Sequence, residues 1–259
     1  MRLCFFFVFV LLNLFNIVQR ITLQSIDSTN TFVKEKLARG VEAPLLVTAV
    51  QQTGGRGQYN RRFSSPTGGA YFSLGISPIL DKSDIPLITL ATGVACAQYL
   101  QELSSLQVQL KWPNDLYVSE RKIGGILCET FFKNDGEIYT IIGVGINVNT
   151  RLGDFAVELQ PILTSIREQT KQEYSIETVI SCCAKAIVAQ VAILQQFKGK
   201  IIAQWQDHDY LQDRFVEYVA GEVKIKACGV GILPSGRYRI VDEIGEYHDV
   251  LGGQLRPIS

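Results

Sequence analysis

The sequence lacks an excess of either charge: 25 Lys and Arg face 25 Asp and Glu over 259 residues. A surface built to hold nucleic acid needs surplus Lys and Arg to neutralise phosphates, so nucleic-acid binding is excluded as the main function, while a local basic loop is not. Histidine is scarce too. His208 and His248 stand apart from any cysteine cluster, and no two of Cys4, Cys96, Cys128, Cys182, Cys183 and Cys228 form a CxxC pair. The ligand spacing of a zinc site is therefore missing. The adjacent Cys182 and Cys183 fall in a helical pattern and read as small buried hydrophobes, and the cysteines together as reduced thiols of a cytoplasmic protein. Disorder is excluded by a composition of 47% hydrophobic and 19% charged residues, enough apolar surface to offset the entropy of ordering the chain.

Long apolar runs are also short of what a membrane span of ~20 residues requires. The longest, LCFFFVFVLLNLFNIV over 3–18, follows Arg2 and is broken by Asn13 and Asn16. It has the basic and apolar parts of a secretory signal without a small-residue cleavage site. It reads equally as a targeting or anchoring segment, giving a secretory or organelle route and membrane contact if retained, or as an extension of little functional meaning.

What is present alternates strands and helices. Asp27, Ser28, Thr29 and Asn30 supply N-cap residues for a helix over 31–38 closed by Gly40. LLVTAV at 45–50 reads as a buried strand, and 70–77 as another. Between them, QQTGGRGQYNRRFSSPTGG (51–69) has five glycines and three arginines without apolar periodicity, so it is expected to be a long functional loop. A helix is expected from Ser83 through Tyr99, with Pro86 in its first turn. The runs 108–112, 115–132 and 137–148 predict an antiparallel meander. Ser175 caps a long helix over 176–197 that buries Ile180, Cys183, Ile187, Val191 and Leu194 and ends at Gly199. Beyond Trp205, five short glycine-punctuated strands suggest a small SH3-like or OB-like barrel. The fold class is α+β, and the domains are expected at 1–18 (leader), 19–210 and 211–259.

Three stretches carry chemistry. The loop sets flexible GGRG backbone beside Arg56, with Arg61 and Arg62 near, a means of wrapping an anion; it is neither a Walker A loop nor GxGxxG. KWPNDLYVSERKIGG groups Lys111, Asn114, Asp115 and Lys122 around a hairpin, offering phosphate neutralisation and a carboxylate for a metal. Gly124 and Gly125 beside them suit close approach of a ligand or another backbone. GVGINVN, 143–149, places Asn147 where an amide could meet a nucleobase edge, although a β-bulge would also explain it.

In this order, DSTN, QQTGGRG with SSPTGG, KWPNDLYVSERKIGGIL, GVGINVN and the terminal GILPSG and LGGQLRP resemble the biotin protein ligase family, over nearly the whole chain from Ile21 to Ile258. The resemblance implies a catalytic domain of the class II aminoacyl-tRNA synthetase-like type, with a mixed or antiparallel sheet, and an SH3-like barrel at the C-terminus. It implies that biotin and MgATP give biotinyl-5′-AMP and pyrophosphate, and that biotin then passes to a lysine of a carboxylase's biotin carrier domain. By the same resemblance, Ser28, Thr29 and Asn30 line the ureido pocket and Gln52 touches the ring. Arg56, Gly57 and Gln58 hold the carboxylate and later the phosphate, and Gly124 and Gly125 border biotin. Lys122 bridges carboxylate and α-phosphate, so that Lys122 and Arg56 are the catalytic pair. Arg61, Lys111 and Asn114 face the nucleotide, Asp115 the ribose and Mg2+, and Asn147 the adenine.

The chain departs from the family's GRGRRGRxW or GRGQWGRxW loop: Asn60 replaces glycine and Phe63 tryptophan, and Gln58 in place of arginine removes one phosphate contact. A DNA-binding repressor is not expected, because only 27 residues precede Ser28 and the net charge is zero. The alternatives are a lipoate or octanoyl transferase of the same superfamily and a non-catalytic biotin-binding module. A monomer or a homodimer is expected.

Overall fold

A computed structural model describes residues 19–132 and 137–258. The 3–18 leader reading lies outside them. Seven strands form one sheet in the order β1-β2-β3-β7-β6-β5-β4: β1 Gln19–Ile26, β2 Leu45–Gln52, β3 Ala70–Ile76, β4 Gln109–Lys111, β5 Asp115–Val118, β6 Arg121–Phe132 and β7 Ile138–Ile146. Only β1 and β2 pair in parallel, joined by the crossover helix α1, Thr29–Ala38. The remaining pairs are antiparallel, and β4 to β7 form the meander expected from their short connections.

Successive strand residues face opposite sides of a sheet. Leu45 and Val47 accordingly pack with Val33 and Leu37 of α1, whereas Leu46 enters the larger core on the other face. With both faces covered, β2 and β3 read as continuous apolar runs rather than alternating ones. The larger core holds α2, Leu87–Ser104, and α4, Ile176–Ala192. A short helix, α3, spans Ile166–Thr170.

Two helical expectations need correction. The helix placed from Ser83 begins at Leu87, after a 3-10 turn at Lys82–Asp84, with Pro86 just before it, where a missing N–H costs nothing. The long helix over 176–197 is two helices, α4 and α5, Leu194–Gln206, bent by 117°. Ser175 caps it and the predicted stripe is buried, yet the chain turns at Ile193, and Gly199 lies inside α5 rather than at an end. The corner lets α5 run back along α2 and carry Trp205 into the core beneath the last sheet. Among the described residues no single helix is long and apolar enough to cross a membrane.

The C-terminal segment forms a five-stranded antiparallel sheet, ordered β11-β10-β9-β8-β12, from β8 Phe215–Ala220, β9 Val223–Ile232, β10 Tyr238–Asp242, β11 Tyr247–Val250 and β12 Gln254–Pro257. It shares the larger core. Tyr238 packs against Trp112 and Trp205, its ring centroids 6.0 and 6.3 Å away, and its hydroxyl donates to Asp209 Oδ2 at 2.7 Å. Trp112 Nε1 donates to the Gly236 carbonyl at 3.1 Å.

Candidate active site

A cavity of roughly 340 Å³ lies where the glycine-rich loop, the β5–β6 hairpin, the face of β6 and β7, and residues 253–255 of the last sheet converge. Its floor depends on absent side chains. A Cβ on Gly143 would stand 2.1 Å from Asn30 Oδ1, and one on Gly145 would stand 2.4 Å from the Phe63 ring. The glycines of GVGINVN are therefore a bare strand over which α1 and the loop lean.

Beside that floor is a hydrogen-bonded polar group. Ser28 caps α1. Gln52 Oε1 accepts from Thr29 N at 2.9 Å and Thr29 Oγ1 at 3.1 Å, while Gln52 Nε2 donates to Ser65 Oγ at 3.0 Å. The buried Ser73 hydroxyl lies 2.7 Å from Thr29 Oγ1 and 2.6 Å from Asn30 Oδ1. The side chains are fixed by one another, a condition for precise positioning.

The opposite wall is cationic. Arg56, Arg61, Arg62, Lys111 and Lys122 line the cavity, against Asp115 as the one lining carboxylate among the described residues. Lys111 and Asp115 are cross-strand partners, and Lys122 Nζ lies 2.5 Å from Asp115 Oδ1. Burial pushes the Lys111 ammonium below the ordinary lysine value; Asp115 opposes this, and Lys122, Arg256 and Arg61 reinforce it. Asn114 fixes the hairpin: its Nδ2 donates to the Ile126 carbonyl at 2.6 Å, and its own carbonyl accepts from Ile126 N at 2.9 Å. Arg56 Nη2 donates to Thr31 Oγ1 at 3.1 Å and lies 3.5 Å from Glu129 Oε2.

The glycine-rich loop is ordered by an unexpected route. Tyr59 and Asn60 both adopt a left-handed φ of 56°. Asparagine tolerates this better than most residues; tyrosine does not, and its hydroxyl is anchored by accepting from Gly253 N at 2.8 Å. Phe63, where the family has tryptophan, places its ring 5.9 Å from Lys122 Nζ.

Of the residues singled out from sequence, Ser28, Thr29, Asn30, Gln52, Arg56, Gly57, Gln58, Arg61, Lys111, Asn114, Asp115, Lys122 and Gly125 meet at this cavity. Two stand outside its lining. Gly124 lies against the β7 backbone, where a Cβ would meet the Gly145 carbonyl at 2.6 Å. Asn147 is buried, donating through Nδ2 to the Thr164 carbonyl at 3.0 Å. Its Oδ1 has no hydrogen-bond partner among the described residues. Sequence reasoning missed Glu129, Ser73, Tyr59 and the contribution of Gly253, Gln254 and Leu255. Glu129 looks like filler in a strand, and the last three residues lie nearly two hundred positions from the loop they meet. His248 lies beside Asp242 and Glu246 in the β10–β11 hairpin, but Asp242 is already engaged there by Ile244 N, Glu246 N and His248.

Residues 22–147 match the model of the biotin/lipoate A/B protein ligase family. The bifunctional ligase/repressor BirA of Bacillus subtilis (strain 168) is 33% identical over 165 residues, 62% of this chain and 51% of the relative. The biotin–[acetyl-CoA-carboxylase] ligase of Paracoccus denitrificans is 30% identical over 130 residues, 47% of this chain and 51% of the relative. The chain thus spans about half the length of these curated relatives. The solved biotin protein ligase of Aquifex aeolicus, in complex with biotin and ATP, is 29% identical and superposes with a TM-score of 0.81, covering 93% of this chain and 99% of that one. Motif order, site and fold point the same way: over residues 22–147 the chain is similar to the biotin/lipoate A/B protein ligase family, and within that family to the biotin protein ligases.

Proposed function

We propose that the protein is an ATP-dependent, AMP-forming biotin protein ligase. The observation that carries this reading is one cavity with a preset polar floor beside Thr29, Asn30 and Gln52, facing a wall of Arg56, Arg61, Arg62, Lys111 and Lys122. A small ligand with a polar ring at one end and a carboxylate at the other fits the first part, and a nucleotide triphosphate the second. Biotin's carboxylate attacks the α-phosphorus of ATP, forming the acyl–phosphate bond of biotinyl-5′-AMP as pyrophosphate leaves. The acceptor lysine's amine then attacks the acyl carbon, the amide forms, and AMP departs. A carboxylate is already a nucleophile, so the first step needs positioning and charge neutralisation rather than a base. Lys122 and Arg56 supply that charge.

Asp115 is the one carboxylate lining the cavity among the described residues and is already paired with Lys122. This donor set fits magnesium only as an ion that arrives on the nucleotide's phosphates, which typically supply most of its ligands. The family resemblance puts the adenine near Asn147, whose buried Oδ1 has no partner among the described residues but lies outside the cavity's lining. The acceptor is read as a carrier domain of acetyl-CoA carboxylase, after the name of the Paracoccus relative, and the last sheet as an SH3-like unit closing the nucleotide end. The protein is read as cytoplasmic, with a secretory or organelle route through the apolar 3–18 run as the alternative.

Purified protein given biotin, MgATP and a biotin carrier domain should label one carrier lysine, with biotinyl-AMP detectable by mass spectrometry. Lys122→Ala should lose most of both, since removing a charge from a transition state costs on the order of a hundredfold or more. Absence of adenylate and of label defeats the reading, and labelling only with lipoate moves it to the superfamily alternative.

A further inference from the structure

Glu129 stands behind the cavity on β6. Its Oε2 accepts from Asn30 Nδ2 at 2.8 Å and lies 3.5 Å from Arg56 Nη2. The second amide proton of Asn30 goes to the Leu127 carbonyl at 3.2 Å, and its Oδ1 lies 2.6 Å from the Ser73 hydroxyl. Both amide protons of Asn30 are therefore engaged by protein, and its orientation depends on Glu129. The same carboxylate neutralises the guanidinium that faces the cavity. These two actions differ chemically: the bond to Asn30 needs only an acceptor oxygen, while the pairing with Arg56 needs a negative charge.

We infer that Glu129 is a positioning residue that orients Asn30 and competes with the ligand's carboxylate for Arg56, so that it sets how tightly a carboxylate-bearing ligand is held. This rests on the biotin reading above. A ligand carboxylate reaching Arg56 has to draw it from Glu129, so the ion pair subtracts from the affinity for acids and leaves neutral ligands untouched. The Arg56 and Glu129 side chains are 37% and 29% exposed, and pairs this accessible change a binding constant by up to about fivefold.

Glu129→Gln separates the two actions, because its amide oxygen still accepts from Asn30 while the charge is gone. Calorimetric titration of the full chain with biotin and with uncharged biotinamide is the test. The variant should bind biotin about fivefold more tightly and biotinamide as the unaltered protein does. The ratio of the two constants within one preparation does not depend on how much of the variant is folded. A ratio equal to that of the unaltered protein, or weaker biotin binding, overturns the inference and leaves the ligase reading standing. Failure of the unaltered protein to bind biotin at all overturns both.

Discussion

Gly143 shows how much a single missing carbon decides. With a methyl group placed 2.1 Å from Asn30 Oδ1, either α1 lifts or Asn30 leaves Ser73 and Glu129. Gly143→Ala should therefore destabilise the fold by about 1–3 kcal/mol, the usual cost of overpacking, and weaken ligand binding further by displacing Asn30. Urea unfolding and titration of the variant check the two effects separately. At this scale the sequence was legible for the charged residues that act through their own chemistry: Arg56, Lys111, Asp115 and Lys122 all reach the cavity. It was not legible where a residue acts through a neighbour. Ser73 and Glu129 carry no motif because what matters is whom they touch, and a strand pattern does not specify contacts across the sheet.

Among the elements, the join between α5 and the last sheet is held more firmly in mild acid than at neutral pH. Asp209 follows α5, and burial pushes its carboxyl up to about 6, against the bonds it accepts from Leu211 N and the Tyr238 hydroxyl. Between pH ~4 and ~6 the folded protein keeps a proton that the unfolded chain has released, so stability falls as pH rises through that window and levels off above it. Asp209→Asn keeps an acceptor for Tyr238 and cannot ionise. It should remove this fall, which is on the order of 2–3 kcal/mol, as read from urea unfolding of both proteins at pH 4.5 and 7. The elements themselves were largely readable: the meander and the five terminal strands follow from runs separated by short turns. The break at Ile193 was not, because an apolar stripe continues through it at helical spacing.

Across the whole molecule, the loop over the cavity and the C-terminal segment are tied by the hydrogen bond from Gly253 N to Tyr59 Oη. Tyr59→Phe removes it with little change in shape. A bond of about 0.5–1.5 kcal/mol should be lost as a fall of a few degrees in melting temperature, with a rise in KM for ATP as the loop loses its anchor, measurable by thermal unfolding and steady-state adenylation. Total charge gave no hint of this arrangement. A formal zero is the sum of a cationic cavity wall and acidic residues elsewhere, and only folding separates them.

That wall has a consequence for how the protein could be recombined. Gly253, Gln254 and Leu255 complete the cavity, while Tyr238 sits in the core with Trp112 and Trp205. A hybrid that takes its last fifty residues from another source must inherit the matching glycine-rich loop as well, so the loop and the last sheet are a single heritable unit.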